Sequence, residues 1–321
     1  MAPYTSQALM GPRSKAPEST SLTDRKSDTA RGYIYAIMGS VCAGSMVTLT
    51  KLLLADMQVG VVAGLPYLLS GFILLLYQPR MKPSKGSFGY LLFFGLIGAA
   101  LAPLMYAVGL DETTAVNAAL LGNAEVLFTI VLAYFVLGER LSRAQAVRGM
   151  LIVAGLVVIS TNLELTGLAF LTGLAGNLLV LGSTLAWAVE NNLIVIATRR
   201  FDPAMLTKFR NLIGGAAMMV VVLAAGLSLS FTGSDTVLLV LLALATSSAT
   251  YLFIAATKKL GATKMLLVWS SYTVFGAFFA YVFLGEQITL AQLSGAALVL
   301  LGVHLLHRKE PIPEAEPFAA V

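Results

Sequence analysis

The chain has 321 residues, of which 58% are hydrophobic and only 12% charged, with a mean hydropathy of +0.84 and a formal net charge of +5. A soluble domain carries about 25% charged residues, so a water-soluble globular enzyme or binding module is excluded. The basic excess does not point to nucleic acid, because its distribution along the chain orients a membrane protein, as set out below.

In chain order, the stretch 1–30 is polar, rich in Ser and Pro, and lacks an apolar core. It reads as a disordered cytoplasmic tail and not as a signal peptide. Ten apolar segments follow, at 32–54, 58–78, 88–110, 114–137, 145–162, 173–197, 204–227, 237–256, 263–284 and 288–306. Runs such as Phe88–Leu110 and Val237–Ala256 are long enough to cross a hydrocarbon core of about 30 Å as helices. A barrel would show short alternating strands, so the expected fold is an all-α integral membrane protein of ten transmembrane helices. A second polar tail occupies 308–321.

The phrase YFVLGERLSRAQ (Tyr134–Gln145) returns as YVFLGEQITLAQ (Tyr281–Gln292), each copy closing one apolar segment and introducing another. The chain therefore divides into a first five-helix repeat, 31–162, and a second, 163–307. Five crossings per half turn the second half upside down, an arrangement of secondary transporters that places the substrate between the halves. Charge supports the inversion. With the N-terminus in the cytoplasm, 20 of the 21 basic residues fall on that side, including Arg140, Arg143, Arg148, Arg199, Arg200, Lys208 and Arg210. Only Lys51 lies elsewhere, at the outer end of the first span, where it snorkels to the interface. The opposite loops carry Asp56, Asp111, Glu112, Glu164, Asp235 and Glu286. This positive-inside pattern places both termini in the cytoplasm.

The paired LGER and LGEQ phrases, with the small pairs Gly39-Ser40 and Gly182-Ser183 in the first helix of each half, resemble the drug/metabolite transporter superfamily in its ten-helix EamA-like branch. The resemblance covers about 32–306 and is greatest to the bacterial aromatic amino acid exporters. It implies a bacterial inner-membrane protein in which helices 1–4 and 6–9 surround a central cavity, with helices 5 and 10 peripheral. The family often has a proline midway along the fourth helix of each half; here those regions read GNAEVLF (Gly122–Phe128) and WSSYTVF (Trp269–Phe275), without one.

Two carboxylates lie inside spans, Glu125 and Glu190. A charge at the bilayer centre costs about 2.5–3.5 kcal/mol on the insertion scale, so such residues face a cavity or a partner. Both are candidates for proton coupling or for anchoring a substrate ammonium; a hydrogen-bonded packing role is the alternative for each. Trp187 aligns with Gly44 and Trp269 with Gly122 between the repeats, which suggests an aromatic wall facing a glycine-lined one. Trp faces attract ammonium groups. Tyr106, Tyr251 and Tyr272 extend the wall, and Asn123, Ser270 and Ser271 supply neutral hydrogen bonds. Asn191 and Asn192 sit lower. Gly60-x-x-x-Gly64 and Gly214-Gly215 read as packing sites, and the lone Cys42 as core filler. His304 and His307 read as interfacial.

No P-loop, HExxH or GxSxG motif is present, so neither an ATP-driven pump nor an intramembrane hydrolase is expected, and no cofactor or metal is called for. The sequence thus reads as an exporter of aromatic or bulky apolar amino acids working by alternating access in a lipid bilayer, with protons as the candidate coupling ion. No Arg or Lys is expected at mid-membrane, which argues against phosphorylated substrates. A multidrug carrier of lipophilic cations is the second reading, and a non-transporting receptor or scaffold the third.

Overall fold

A backbone in hydrocarbon must satisfy its own N–H and C=O groups, and helices form wherever this chain is apolar. The computed structural model describes residues 22–76, 88–137, 143–163, 168–230 and 232–306. Its helices are α1 (Leu22–Leu54), α2 (Val59–Ile73), α3 (Phe88–Leu96), α4 (Ala102–Asp111), α5 (Ala115–Leu121), α6 (Ala124–Leu137), α7 (Arg143–Thr161), α8 (Leu168–Ala197), α9 (Pro203–Ala224), α10 (Gly233–Leu260), α11 (Ala262–Trp269), α12 (Tyr272–Phe279) and α13 (Leu290–Leu306). α3 and α4 are joined through a π-helical segment (Ile97–Leu101) into one crossing. So are α5 with α6, and α11 with α12 and a second π-helical segment (Ala280–Leu284). Among the described residues seven helical stretches are long and apolar enough to cross a membrane, three shorter apolar helices complete the set, and there is no strand.

α1 begins at Leu22, so the last residues of the stretch read as a tail are helical; Lys259 of α10 donates to Asp28 at 2.7 Å and fastens this extension.

The contacts obey an exchange of halves. α1 packs on α10 as α8 packs on α4, and α1 packs on α12 as α8 packs on α6. α2 pairs with α9 and α7 with α13, each with its own counterpart. Apolar burial drives little association in lipid, and close approach of small residues replaces it. At the α4–α8 crossing an added Cβ on Gly109 would lie 2.6 Å from the Gly176 carbonyl oxygen, and one on Gly176 would lie 2.7 Å from that of Gly109. Gly64 abuts Met218 and Gly215 abuts Leu68 at the α2–α9 contact, so these glycines are packing sites. Cys42 packs, half-buried, beside the apolar cluster around Phe94 and Leu206.

The second copy of the repeated phrase has a structural task. Gly285, at φ +68°, ends the Ala280–Leu284 segment in the left-handed region, which glycine adopts without a Cβ penalty. The chain then turns so that the Glu286 carboxylate accepts the backbone N–H groups of Ala115 and Val116, both at 2.8 Å. One half thus caps the opening turn of α5 in the other half, where free N–H groups and the helix dipole favour an anion. The first copy's Gly138, Glu139 and Arg140 lie outside the described residues. Lys51 does not snorkel: its Nζ donates to the carbonyls of Leu110 (2.6 Å), Asp111 (3.2 Å) and Thr113 (2.8 Å), closing the end of α4. His304 is exposed, and His307 lies outside the described residues.

Candidate functional site

The central site is assembled from three local irregularities of the helices. The first is the gap between α5 and α6. Gly122 and Asn123 form a tight turn in which Glu125 N–H bonds to the Gly122 carbonyl at 3.1 Å and Val126 N–H to that of Asn123 at 3.1 Å. Glu125 therefore occupies the first turn of a helix that starts inside the membrane, where the dipole stabilises a carboxylate. The second lies opposite it, at Ser270-Ser271 between α11 and α12, with Ser271 N–H on the Val268 carbonyl at 3.0 Å. The two breaks touch: Asn123 Nδ2 donates to Thr273 Oγ1 at 2.8 Å, and an added Cβ on Gly122 would collide with the Tyr272 ring and hydroxyl.

The third is the π-helical segment Ile97–Leu101. In its register the Ala102 N–H reaches the carbonyl of Ile97, so the next donor in line, for Gly98, is residue 103. That residue is proline and has no N–H. The orphaned Gly98 carbonyl is taken instead by Arg210 Nη2 at 2.6 Å and by Trp187 Nε1 at 3.2 Å.

Around these features the helices enclose a cavity of about 130 Å³, lined from α1, α2, α4, α6 and α8 to α12. Among the described residues, none of α7 or α13, the fifth and tenth crossings, lines its wall. Two aromatic groups contribute to its wall. Tyr106 and Trp187 lie 5.5 Å apart between ring centres, Trp269 and Tyr272 also 5.5 Å, and Phe253 meets Trp269 edge-on at 4.7 Å. Its charged and amide groups are Glu125, Asn191, Glu190 and Arg210, all buried. Asn191 Nδ2 donates to Glu125 Oε1 at 2.6 Å, and Asn192 Nδ2 donates to the Thr129 carbonyl at 3.3 Å, tying α8 to α6. Arg210 holds Glu190 by a two-pronged contact, Nε to Oε1 and Nη2 to Oε2, the latter at 2.9 Å. Its Nη1 donates to Asn211 Oδ1 at 2.9 Å, and its guanidinium lies 5.6 Å from the Tyr67 ring centre.

Of the residues singled out in the sequence, Glu125, Glu190, Trp187, Trp269, Tyr106 and Tyr272 line the cavity together. The others do not. Tyr251 is exposed on the outer side of α10, beside the cavity-lining Thr250. Ser270 is buried with its hydroxyl on the Leu267 carbonyl at 2.7 Å; Ser271 and Asn123 belong to the helix breaks. The glycine-lined wall is also absent. Gly44 packs against Phe275 and Gly276 of α12, and Gly122 against Tyr272, so neither faces a tryptophan across the cavity.

The expectation of no cation at mid-membrane is overturned. Arg210, counted with the cytoplasmic loops, lies two turns inside α9, because Asp202 caps that helix and Pro203 opens it. An N-cap acid followed by proline is a start signal, and it would have fixed the depth of Arg210. α8 ends seven residues after Glu190 and α9 starts seven before Arg210. At 1.5 Å per residue both charges stand about 10 Å above the connecting turn. Among the described residues no group of three His, Cys, Asp or Glu side chains could hold a metal ion.

Comparison with known proteins agrees with this architecture. The EamA-like transporter family matches residues 30–161 and again 174–308. An uncharacterized transporter of Methanothermobacter thermautotrophicus is 24% identical over 294 residues, covering 86% of each chain. The uncharacterized transporter YyaM of Bacillus subtilis is 26% identical over 242 residues, 72% of this chain and 77% of its own. A solved structure described only as a crystal structure of protein superposes with a TM-score of 0.63 at 17% identity, covering 87% of this chain and 97% of that one; it shares the fold.

Proposed function

The chain belongs to the EamA-like transporter family, and from that premise we propose that it carries aromatic or bulky apolar amino acids out of the cell by alternating access. The observation that supports this most is the placement of a carboxylate, Glu125, at a mid-membrane helix break beside an aromatic wall. Trp269 and Tyr272 offer faces to a ring or an apolar side chain, and Glu125 offers a counter-ion to its ammonium. The two repeats, 31–162 and 163–307, rock about this site. We assign the protein to the bacterial inner membrane with both termini cytoplasmic. The sequence distribution of the basic residues outside the cavity, Lys51 excepted, supports this orientation, and reporter fusions at each terminus should read cytoplasmic. Glu125 is the proton-coupling group.

A second reading has one observation in its favour. Glu125 and Glu190 face the cavity with a single guanidinium, Arg210, and the surplus carboxylate also suits a lipophilic cation. Among the described residues Arg210 is the one cation lining the cavity and two carboxylates stand beside it, a balance that opposes a phosphate with two negative charges. Counterflow of labelled phenylalanine in proteoliposomes separates the readings. Uptake accelerated by internal amino acid and blocked by external amino acid is expected. Block by a lipophilic cation with no amino acid exchange would overturn the amino acid assignment.

A further inference from the structure

Burying two charges costs several kcal/mol of hydration each, and a pair that only tied α8 to α9 would not need to face a transport cavity. Arg210 and Glu190 both line it. The fork through which Arg210 holds Glu190 is the one an arginine offers to any carboxylate. Arg210 is also held without Glu190: Nη2 donates to the Gly98 carbonyl at 2.6 Å and Nη1 to Asn211 at 2.9 Å. Asn211 is in turn fixed by donating to Ser70 Oγ at 2.7 Å. The guanidinium therefore keeps its place when Glu190 leaves.

We infer that a zwitterionic α-amino acid binds by inserting into this ion pair, its carboxylate taking the fork of Arg210 and its ammonium meeting Glu190 and Glu125. Glu190 is then the occupant of the substrate-carboxylate site in the empty carrier. The inference rests on the reading of the cavity as an amino acid site and adds the anchor and its selectivity. Charge pairing decides the selectivity. An inserted zwitterion leaves Arg210 and Glu190 each with an opposite charge. An amine without a carboxylate leaves the pair closed and finds Glu125 alone. A carboxylate without an amine turns Glu190 out with nothing to meet it, and an unpaired buried charge is the costliest outcome.

Binding of L-phenylalanine, phenethylamine and 3-phenylpropanoate, followed by tryptophan emission on the purified full chain, tests this. The wild type should bind phenylalanine at least about tenfold more tightly than either partial ligand, a difference of about 1.4 kcal/mol. Arg210→Gln should abolish the advantage of phenylalanine over phenethylamine, and phenethylamine should bind more tightly than to the wild type, because Glu190 is left without its cation. Glu190→Gln preserves shape, frees the fork, and decides the matter should Arg210→Gln fail to fold; it should strengthen 3-phenylpropanoate by at least about tenfold. Equal affinity for phenylalanine and phenethylamine in the wild type, or ratios untouched by both substitutions, would overturn the insertion while leaving an amino acid site. Failure of the wild type to bind any of the three would overturn the amino acid reading itself.

Discussion

Glu125 has its position set by the turn at Gly122-Asn123 and its orientation by Asn191, and among the described residues it is the one cavity carboxylate with no cation in direct contact. Glu125→Gln keeps the Asn191 contact and removes the titrating proton, so flux should lose its pH dependence while the protein stays folded. Unchanged pH dependence in proteoliposomes would remove Glu125 from coupling. At this scale the sequence was readable where a residue's chemistry clashed with its surroundings. Glu125, Glu190, Trp187 and Trp269 stand out because charges and bulky rings inside apolar spans need a reason. Arg210 did not, because it sits among basic residues near a loop and only the Asp202-Pro203 start signal gives its depth. Tyr251 misled because neighbouring residues on a helix point in different directions, and Thr250 is the one that faces inward.

The broken helices are the elements on which the site depends. Gly122→Ala would drive a methyl into the Tyr272 hydroxyl. Overpacking of this kind costs about 1–3 kcal/mol, and the loss should be partly recovered in the Gly122→Ala, Tyr272→Phe double variant, as thermal unfolding in detergent would register. No recovery would mean that the two breaks are not packed against each other. Glu286→Ala removes two charge-assisted bonds to α5, each worth about 1.5–3 kcal/mol. It should lower the melting temperature more than Glu286→Gln, which keeps one acceptor; equal effects would contradict the capping role. The breaks were hidden in the sequence because the mark expected for them, a proline in GNAEVLF or WSSYTVF, is missing. Gly-Asn and Ser-Ser turns break the helices instead. The proline that does matter, Pro103, acts one crossing earlier by leaving the Gly98 carbonyl open to Arg210 and Trp187.

Across the whole molecule, the repeated LGE phrase was enough to divide the chain into halves, because inverted repeats keep their periodicity in sequence. The exchange-symmetric pairing of α1 with α10 and α8 with α4 is the same division seen in space. The centre is where symmetry ends: Glu125 has Tyr272 as its counterpart, and the Arg210 pair has none facing it across the cavity. Charged and aromatic groups are interleaved in its wall: Trp187 and Arg210 share the Gly98 carbonyl, and Arg210 lies over the Tyr67 ring. The claim that this cavity is the binding site can be measured without a label, because the chain has two tryptophans and both line it. Titration with phenylalanine should give a saturable change in tryptophan emission, altered in Trp187→Phe and in Trp269→Phe. Phenylalanine transported by the same preparation with no change in emission would place the substrate elsewhere.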